Sequence, residues 1–248
     1  MAQATYKKMG EGYARLRRPD PRIVAAISLA LDASRTVINV GAGTGSYEPA
    51  DRVVLAVEPS ELMIGQRAPD AAPCVRGSAE SLPVEDGAFD AAMAVLTIHH
   101  WSDWRQGLRE MRRAARRRIV LLTFDAEASD FWLTRDYFPE LIALDRQIMP
   151  PLDALAGELG AFEATPVLVP HDCLDGFFGA HWRRPEIYLD PVSRRSMSPF
   201  ARIEAGEGVG RLADDLESGV WHKRNAELLA LDALDVGYRL LRWEFDQG

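Results

Sequence analysis

The run Val37-Ile38-Asn39-Val40 leads directly into Gly41-Ala42-Gly43-Thr44-Gly45, and the next apolar run, Val54-Leu55-Ala56-Val57, ends in Glu58 and Pro59. Two short β-branched runs of this kind read as neighbouring buried parallel strands, one closing in a glycine turn and the other in a carboxylate. The glycines let backbone N–H groups come close to a ligand, and an acid at the tip of the adjacent strand accepts hydrogen bonds from a ribose diol. Glycines alone mark any turn. It is the apolar run before them and the acid after the next run that point to a nucleoside site.

The rest of the chain is consistent with that start. Strands are expected at Thr36 to Val40, Val53 to Val57, Pro73 to Arg76, Phe89 to Thr97, Arg118 to Phe124, Pro166 to Val169 and Tyr238 to Phe245. Helical segments separate most of them, which predicts an α/β fold with a doubly wound sheet covered on both faces. Tyr6, Met9, Tyr13 and Leu16 predict an N-terminal helix stopped at Pro19, and Ile23 to Leu31 a second one. The clearest helix is Trp101 to Ala115, with Trp104, Leu108, Met111 and Ala115 on one stripe. Further helices are expected at Phe131 to Arg146, at Leu152 to Leu159 ending at Gly160, and from about Val209 to Leu234. One interval is short: Ser46 to Arg52, with Pro49 inside, would span about 10 Å as a helix and about 24 Å extended. A turn and extended chain are therefore expected there in place of a full crossover helix.

A length of 248 residues suits one domain with a lid, and a net charge of -8 gives no broad attraction for nucleic acid or an anionic membrane. The arginines from Arg105 to Arg118 read as the solvated face of a helix and not as a phosphate-binding patch. Cys74 and Cys173 form neither a disulfide framework nor a metal spacing, no metal site is expected, and no stretch is apolar enough to span a bilayer. Without an N-terminal apolar signal either, a cytoplasmic location is expected.

Four motifs in order then carry a resemblance: Val40 to Gly45, Val57-Glu58-Pro59-Ser60 with Met63, Gly77-Ser78-Ala79-Glu80-Ser81-Leu82-Pro83, and Phe89-Asp90-Ala91-Ala92 through His99-His100-Trp101. Together they resemble class I S-adenosylmethionine-dependent methyltransferases, most closely the small-molecule group that includes quinone-biosynthesis methyltransferases. The likeness is strong over residues 35–125. It implies a seven-stranded, mostly parallel Rossmann-like sheet with an antiparallel last strand and a helical lid. In one domain, residues 1–34 would cover the cofactor, residues 35–125 would bind it, and residues 126–248 would supply the lid and last strands.

The resemblance also assigns roles. Gly41, Ala42, Gly43 and Thr44 would lie under the methionine part of S-adenosylmethionine, Glu58 would hold the ribose, and Pro59, Ser60 and Met63 would border the adenine. Ser78 stands where the family carries an aspartate, so Ala79 N–H is expected to take more of the adenine recognition; Glu80 is a cofactor candidate equally readable as surface, and Leu96 a cofactor contact where the fourth strand closes beside the transferable methyl. Tyr13 and Arg18 would fold over the cofactor from the N-terminal helix. His99 and His100 are the candidate bases beside the acceptor, although methyl transfer can proceed by alignment alone. Trp101, Phe177, Trp182 and Arg183 are the candidate acceptor contacts, with Phe177 and Trp182 read somewhat more readily as the lid's own core.

The implied reaction moves a methyl group from S-adenosylmethionine to O, N or C of a small organic acceptor, leaving S-adenosylhomocysteine. Two other readings stand beside it. A NAD(P)-dependent oxidoreductase would use the same first strands, but Ser46 occupies the third glycine position of G-x-G-x-x-G and no Tyr-x-x-x-Lys pair is present. A non-catalytic cofactor-binding protein would keep the pocket without turnover. Neither the acceptor nor the oligomeric state can be read from the residues.

Overall fold

Near-continuous apolar strands require burial on both faces, and successive side chains of the central strands do go to opposite faces of one sheet. A computed structural model of the chain describes residues 17–195 and 197–245. Strands β1 (Thr36–Val40), β2 (Val53–Glu58), β3 (Cys74–Arg76), β4 (Phe89–Val95) and β5 (Ala115–Phe124) pair in parallel. The chain later returns with β6 (Glu163–Pro166), with a small antiparallel pair, β7 (Val169–Pro170) and β8 (Ala233–Leu234), and with β9 (Tyr238–Glu244). β9 is antiparallel to both β5 and β6, and the sheet order is β3-β2-β1-β4-β5-β9-β6. This is the expected seven-stranded sheet with an antiparallel late strand.

Parity along the strands sorts the core. Val37, Met93, Val120 and Leu122 pack with α1 (Pro21–Leu31) and with the segments after residue 125. Ile38, Val40, Ala92, Ala94 and Leu121 pack on the other face. That face is covered by the buried stripe Leu108, Met111 and Ala114 of the helix Trp104–Ala114, and by Leu155. Asp103 starts that helix by accepting the Gln106 N–H at 3.1 Å. The strand order reverses at β1, whose neighbours are β2 and β4, so a crevice opens at the carboxyl ends of these strands.

Residues 46–52 contain turns and no helix, as the short interval predicts. A buried ion pair braces this segment: Arg67 donates to Glu48 at 2.8 Å, to Gly43 O at 3.3 Å and to Ala72 O at 2.9 Å. Asn39 Nδ2 donates to the same Glu48 at 3.0 Å, which ties the turn to β1.

Three expectations change. Phe131 to Arg146 is not one helix: a π-type turn, Leu133–Tyr137, ends at Phe138, and a separate helix, Pro139–Ile148, starts with proline at its first position. Val209 to Leu234 is also divided. Gly219, at φ +77°, ends the helix Gly206–Glu217 and opens the short helix Val220–Arg224, and the chain then passes through a 3₁₀ turn into β8. The expected strand at Pro166 to Val169 is two strands with different partners, β6 on β9 and β7 on β8. The helix expected around Tyr6 and Tyr13 lies outside the described residues. The arginines of the basic stretch meet carboxylates, among them Arg109 with Glu158 at 2.6 Å and Arg116 with Asp90 at 2.8 Å.

Candidate active site

The glycine turn after β1 doubles back onto β2. Gly41 and Ala42 N–H groups both donate to Val57 O, at 2.9 and 3.1 Å. Gly41 has φ +69°, and a Cβ there would overlap the Thr97 side chain, so this position excludes other residues on two grounds. Gly43, at φ +53°, is different: nothing lies within 4 Å of the place a Cβ would take. The backbone is bare there, as a close-lying ligand requires.

Glu58 stands at the end of β2, 3% exposed, directly behind that bare turn. Its Oε2 accepts from Gly43 N–H at 2.8 Å and its Oε1 from Ser60 N–H at 2.9 Å. Burial raises its pKa above the usual carboxylate value, and the two N–H groups and Arg67 oppose that rise. A carboxylate accepts about four hydrogen bonds, so this one retains capacity for a diol. Ser60 caps the one-turn helix Glu61–Ile64 by accepting from Met63 N–H at 3.4 Å, which fixes Met63 against the turn.

Two cavities meet at this edge of the sheet. The first, about 550 Å³ with its mouth, is walled by Gly41, Ala42, Gly43, Thr44, Met63 and Leu96, among others. The second, about 630 Å³, lies under the lid and is walled by His99, Phe124, Asp145, Phe177, Phe178 and Tyr238, among others. Arg17, Leu96 and His100 belong to both, so the cavities adjoin there. Leu96 holds φ +53°, rare for a bulky residue, while its N–H donates to Leu122 O at 2.9 Å. His99 and His100 form the 3₁₀ turn Ile98–His100 with ring centroids 3.9 Å apart. Desolvation, with Arg202 adding to it, pushes the His100 pKa down to about 4 and that of His99 well below its ordinary value. Both imidazoles are neutral at pH 7.

Other expected residues fall elsewhere. Glu58, Pro59, Ser60, Ser78, Ala79 and Glu80 are not walls of the first cavity; Glu58 lies behind Gly43, which is one. Glu80 accepts from Ser102 N and Oγ, each at 2.8 Å, and from Asp103 N at 3.1 Å, so its carboxylate holds the entry to the helix Trp104–Ala114. Trp101 packs against Gly107 of that helix and lines neither cavity. Trp182 is fully buried; its Nε1 donates to Val169 O at 2.8 Å and its carbonyl accepts from Trp132 Nε1 at 2.9 Å, which makes it lid core. Arg183 donates to Leu231 O at 3.1 Å, away from the second cavity, whereas Phe177 is a wall of it. Arg18 is exposed and Arg17 turns inward in its place; Tyr13 lies outside the described residues.

Arg17 belongs to a buried cluster that sequence reasoning did not single out. Its Nε donates to Asp175 Oδ1 at 2.7 Å, and Tyr47 donates to Asp175 Oδ2 at 2.7 Å. Asp175, fully buried, thereby joins the lid to the glycine turn. Asp145 was also missed, although Phe138, Leu141, Asp145 and Met149 share one helical face and a lone acid on such a stripe is a readable signal.

Residues 38–122 match the methyltransferase-domain family model. A search of curated proteins finds no match. Among solved structures, one described as a methyltransferase from an antibiotic biosynthesis pathway of Anabaena variabilis is 38% identical, with a TM-score of 0.84 over 92% of this chain and 98% of that one. The plantazolicin methyltransferase BpumL, solved with S-adenosylhomocysteine, is 12% identical, with a TM-score of 0.56 over 99% and 94% of the two chains. The [4+2]-cyclase SpnF has a TM-score of 0.53 at 17% identity over 92% and 81%, a likeness of fold alone.

Proposed function

Because the chain belongs to the S-adenosylmethionine-dependent methyltransferases, we propose that its two adjoining cavities are the cofactor site and the site of a small organic acceptor that it methylates. The observation that carries this reading is the junction at Arg17, Leu96 and His100, where a group seated on the glycine turn would meet a molecule held under the lid. The bare Gly43 and the buried Glu58 fit S-adenosylmethionine, which when bound supplies an electrophilic methyl group on sulfur.

In this reading the chain's own residues bind, orient and exclude water. Glu58 accepts the ribose hydroxyls, Gly41 to Thr44 leave room for the methionine part, and Met63 closes the side of the turn. Leu96 lines both cavities where they adjoin, its strained backbone fixed by Leu122. Neutral His99 and His100 accept hydrogen bonds from the acceptor, and their low pKa values make them poor proton stores near pH 7. Phe124, Phe177, Phe178 and Tyr238 keep the acceptor site dry.

The division into an N-terminal cover, a cofactor core over residues 35–125 and a lid within one domain belongs to the same reading. Among the described residues no helix is long and apolar enough to cross a membrane, and both cysteines are unpaired, which fits a reducing cytoplasm. The test is titration calorimetry with S-adenosylhomocysteine and with NAD(H), followed by an acceptor screen with methyl-labelled S-adenosylmethionine. Binding of S-adenosylhomocysteine alone and labelled product from a small acceptor are expected. Binding of NAD(H) in its place would return the oxidoreductase reading, and binding without product from any acceptor would favour a non-catalytic protein.

A further inference from the structure

The second cavity contains a buried acid that the reading above leaves unused. Asp145, on the helix Pro139–Ile148, is 1% exposed and lines the cavity beside Phe124, Phe177, Phe178 and Tyr238. Among the described residues its Oδ1 meets no hydrogen-bond donor. Two donors that share the cavity are directed elsewhere, the Tyr238 hydroxyl to Phe178 O at 2.7 Å and Arg17 Nε to Asp175 at 2.7 Å, while the Thr123 hydroxyl, another wall, also meets no partner among the described residues. The charge that acts on Asp145 is that of Arg202, an exposed side chain at the end of the turn Ser198–Arg202. Burial pushes its carboxyl up to about 7, so in neutral solution a donor arriving in the cavity decides its state. A buried carboxyl oxygen without a donor is destabilising, and one that faces a cavity is where a ligand can supply what the fold omits.

Resting on the methyltransferase reading of this site, we propose that Asp145 is the group that binds the methyl acceptor, and that the acceptor is an amine carried on an apolar, ring-sized body. An ammonium group brings both the hydrogen-bond donors and the charge that Asp145 lacks. The ring walls favour the same choice, since aromatic faces attract a cation and bury an apolar body. His99 and His100, being neutral, place no competing charge in the cavity, and the guanidinium of Arg17, which also lines it, is paired with the buried Asp175. A carboxylate or phosphate acceptor would instead face the acid across a dry site. Asp145 then has a second use: the N–H proton of the bound amine passes to its carboxylate oxygen while the N–H electron pair stays on nitrogen, which frees the lone pair that must accept a methyl group.

Calorimetric titration of the protein saturated with S-adenosylhomocysteine tests this with two matched probes, phenethylamine and 2-phenylethanol. The wild-type protein is expected to bind the amine about tenfold or more tightly than the alcohol, and Asp145→Asn to bring the two within about twofold, with S-adenosylhomocysteine affinity unchanged. Equal affinities in the wild type, a preference that survives in Asp145→Asn, or binding of neither probe overturns the proposal. A wild-type protein that fails to bind S-adenosylhomocysteine overturns the reading of the first cavity, and the proposal falls with it; the first titration separates that failure from the others.

Discussion

Replacing Asp145 by asparagine gives a stability change whose sign and pH window follow from the structure. Burial raises the folded-state pKa of Asp145 from the ordinary 3.8 to about 7, so between those values the folded protein holds a proton that the unfolded chain has released. Its contribution is therefore most favourable below about pH 4, is lost as pH rises through the interval, and is constant above about pH 7. At about 1.4 kcal/mol per pH unit the whole interval amounts to about 4 kcal/mol, of which about 2.5 kcal/mol falls between pH 5 and pH 8. Asparagine cannot titrate, so the stability of Asp145→Asn relative to the wild type should rise by that amount from pH 5 to pH 8. Any fixed cost of burying the amide shifts the whole curve and leaves its slope unchanged.

The surrounding groups do not imitate this slope. Burial lowers the pKa of His100 and His181 to about 4 and that of His99 well below its ordinary value, shifts of opposite sign that both proteins share, and the pKa of Tyr238 is raised far above neutrality. Urea denaturation of both proteins at pH 5, 6, 7 and 8 measures the difference directly. In thermal melts the same change would appear as about 5–10 °C of relative Tm, from about 2–4 °C per kcal/mol for a chain of this size. A wild-type-minus-variant difference that is flat with pH would mean that Asp145 is ionised and satisfied in the folded protein, and the argument from its burial would fail.

Further outcomes follow from the cofactor side. Glu58→Gln keeps the side-chain shape but loses the charge, and should weaken S-adenosylhomocysteine binding by about 1.5–3 kcal/mol in calorimetry; unchanged affinity would remove Glu58 from the ribose. Gly41→Ala places a Cβ against Thr97 at φ +69° and should destabilise the fold by about 2–4 kcal/mol in urea denaturation, from the left-handed backbone and overpacking together. Gly43→Ala meets open space and keeps only the backbone cost, so it should be the milder of the two in stability while still weakening S-adenosylhomocysteine binding. Tyr47→Phe removes the hydroxyl donated to the buried Asp175 and should cost about 1.5–3 kcal/mol of stability, and a double-mutant cycle with Asp175→Asn should show coupling between the two.

Local sequence was informative wherever one short segment sets the geometry by itself. The glycine turn, the acid ending β2 and the helix stripe of Leu108 and Met111 are such cases, and each stands where the residue pattern places it. The short link between β1 and β2 was legible because seven residues with a proline leave no length for a helix. The lid was not legible in the same way. Its helices break at Phe138, where Pro139 opens a new helix, and at Gly219, where a left-handed glycine ends one, and hydrophobic periodicity passes over both.

What the amino-acid order decided alone is the parallel core, its crevice and the glycine turn of Gly41 and Gly43 beside the carboxylate of Glu58, since strand runs and turns are dictated by neighbours in the chain. Which of Arg17 and Arg18 turns inward, that Trp182 is core while Phe177 is a wall, and that Asp145 comes to face the same cavity as His99 were decided only by the folded lid. Those choices depend on the packing of segments more than 100 residues apart, as in the contact of Arg17 with Asp175, and no local pattern encodes a contact of that range.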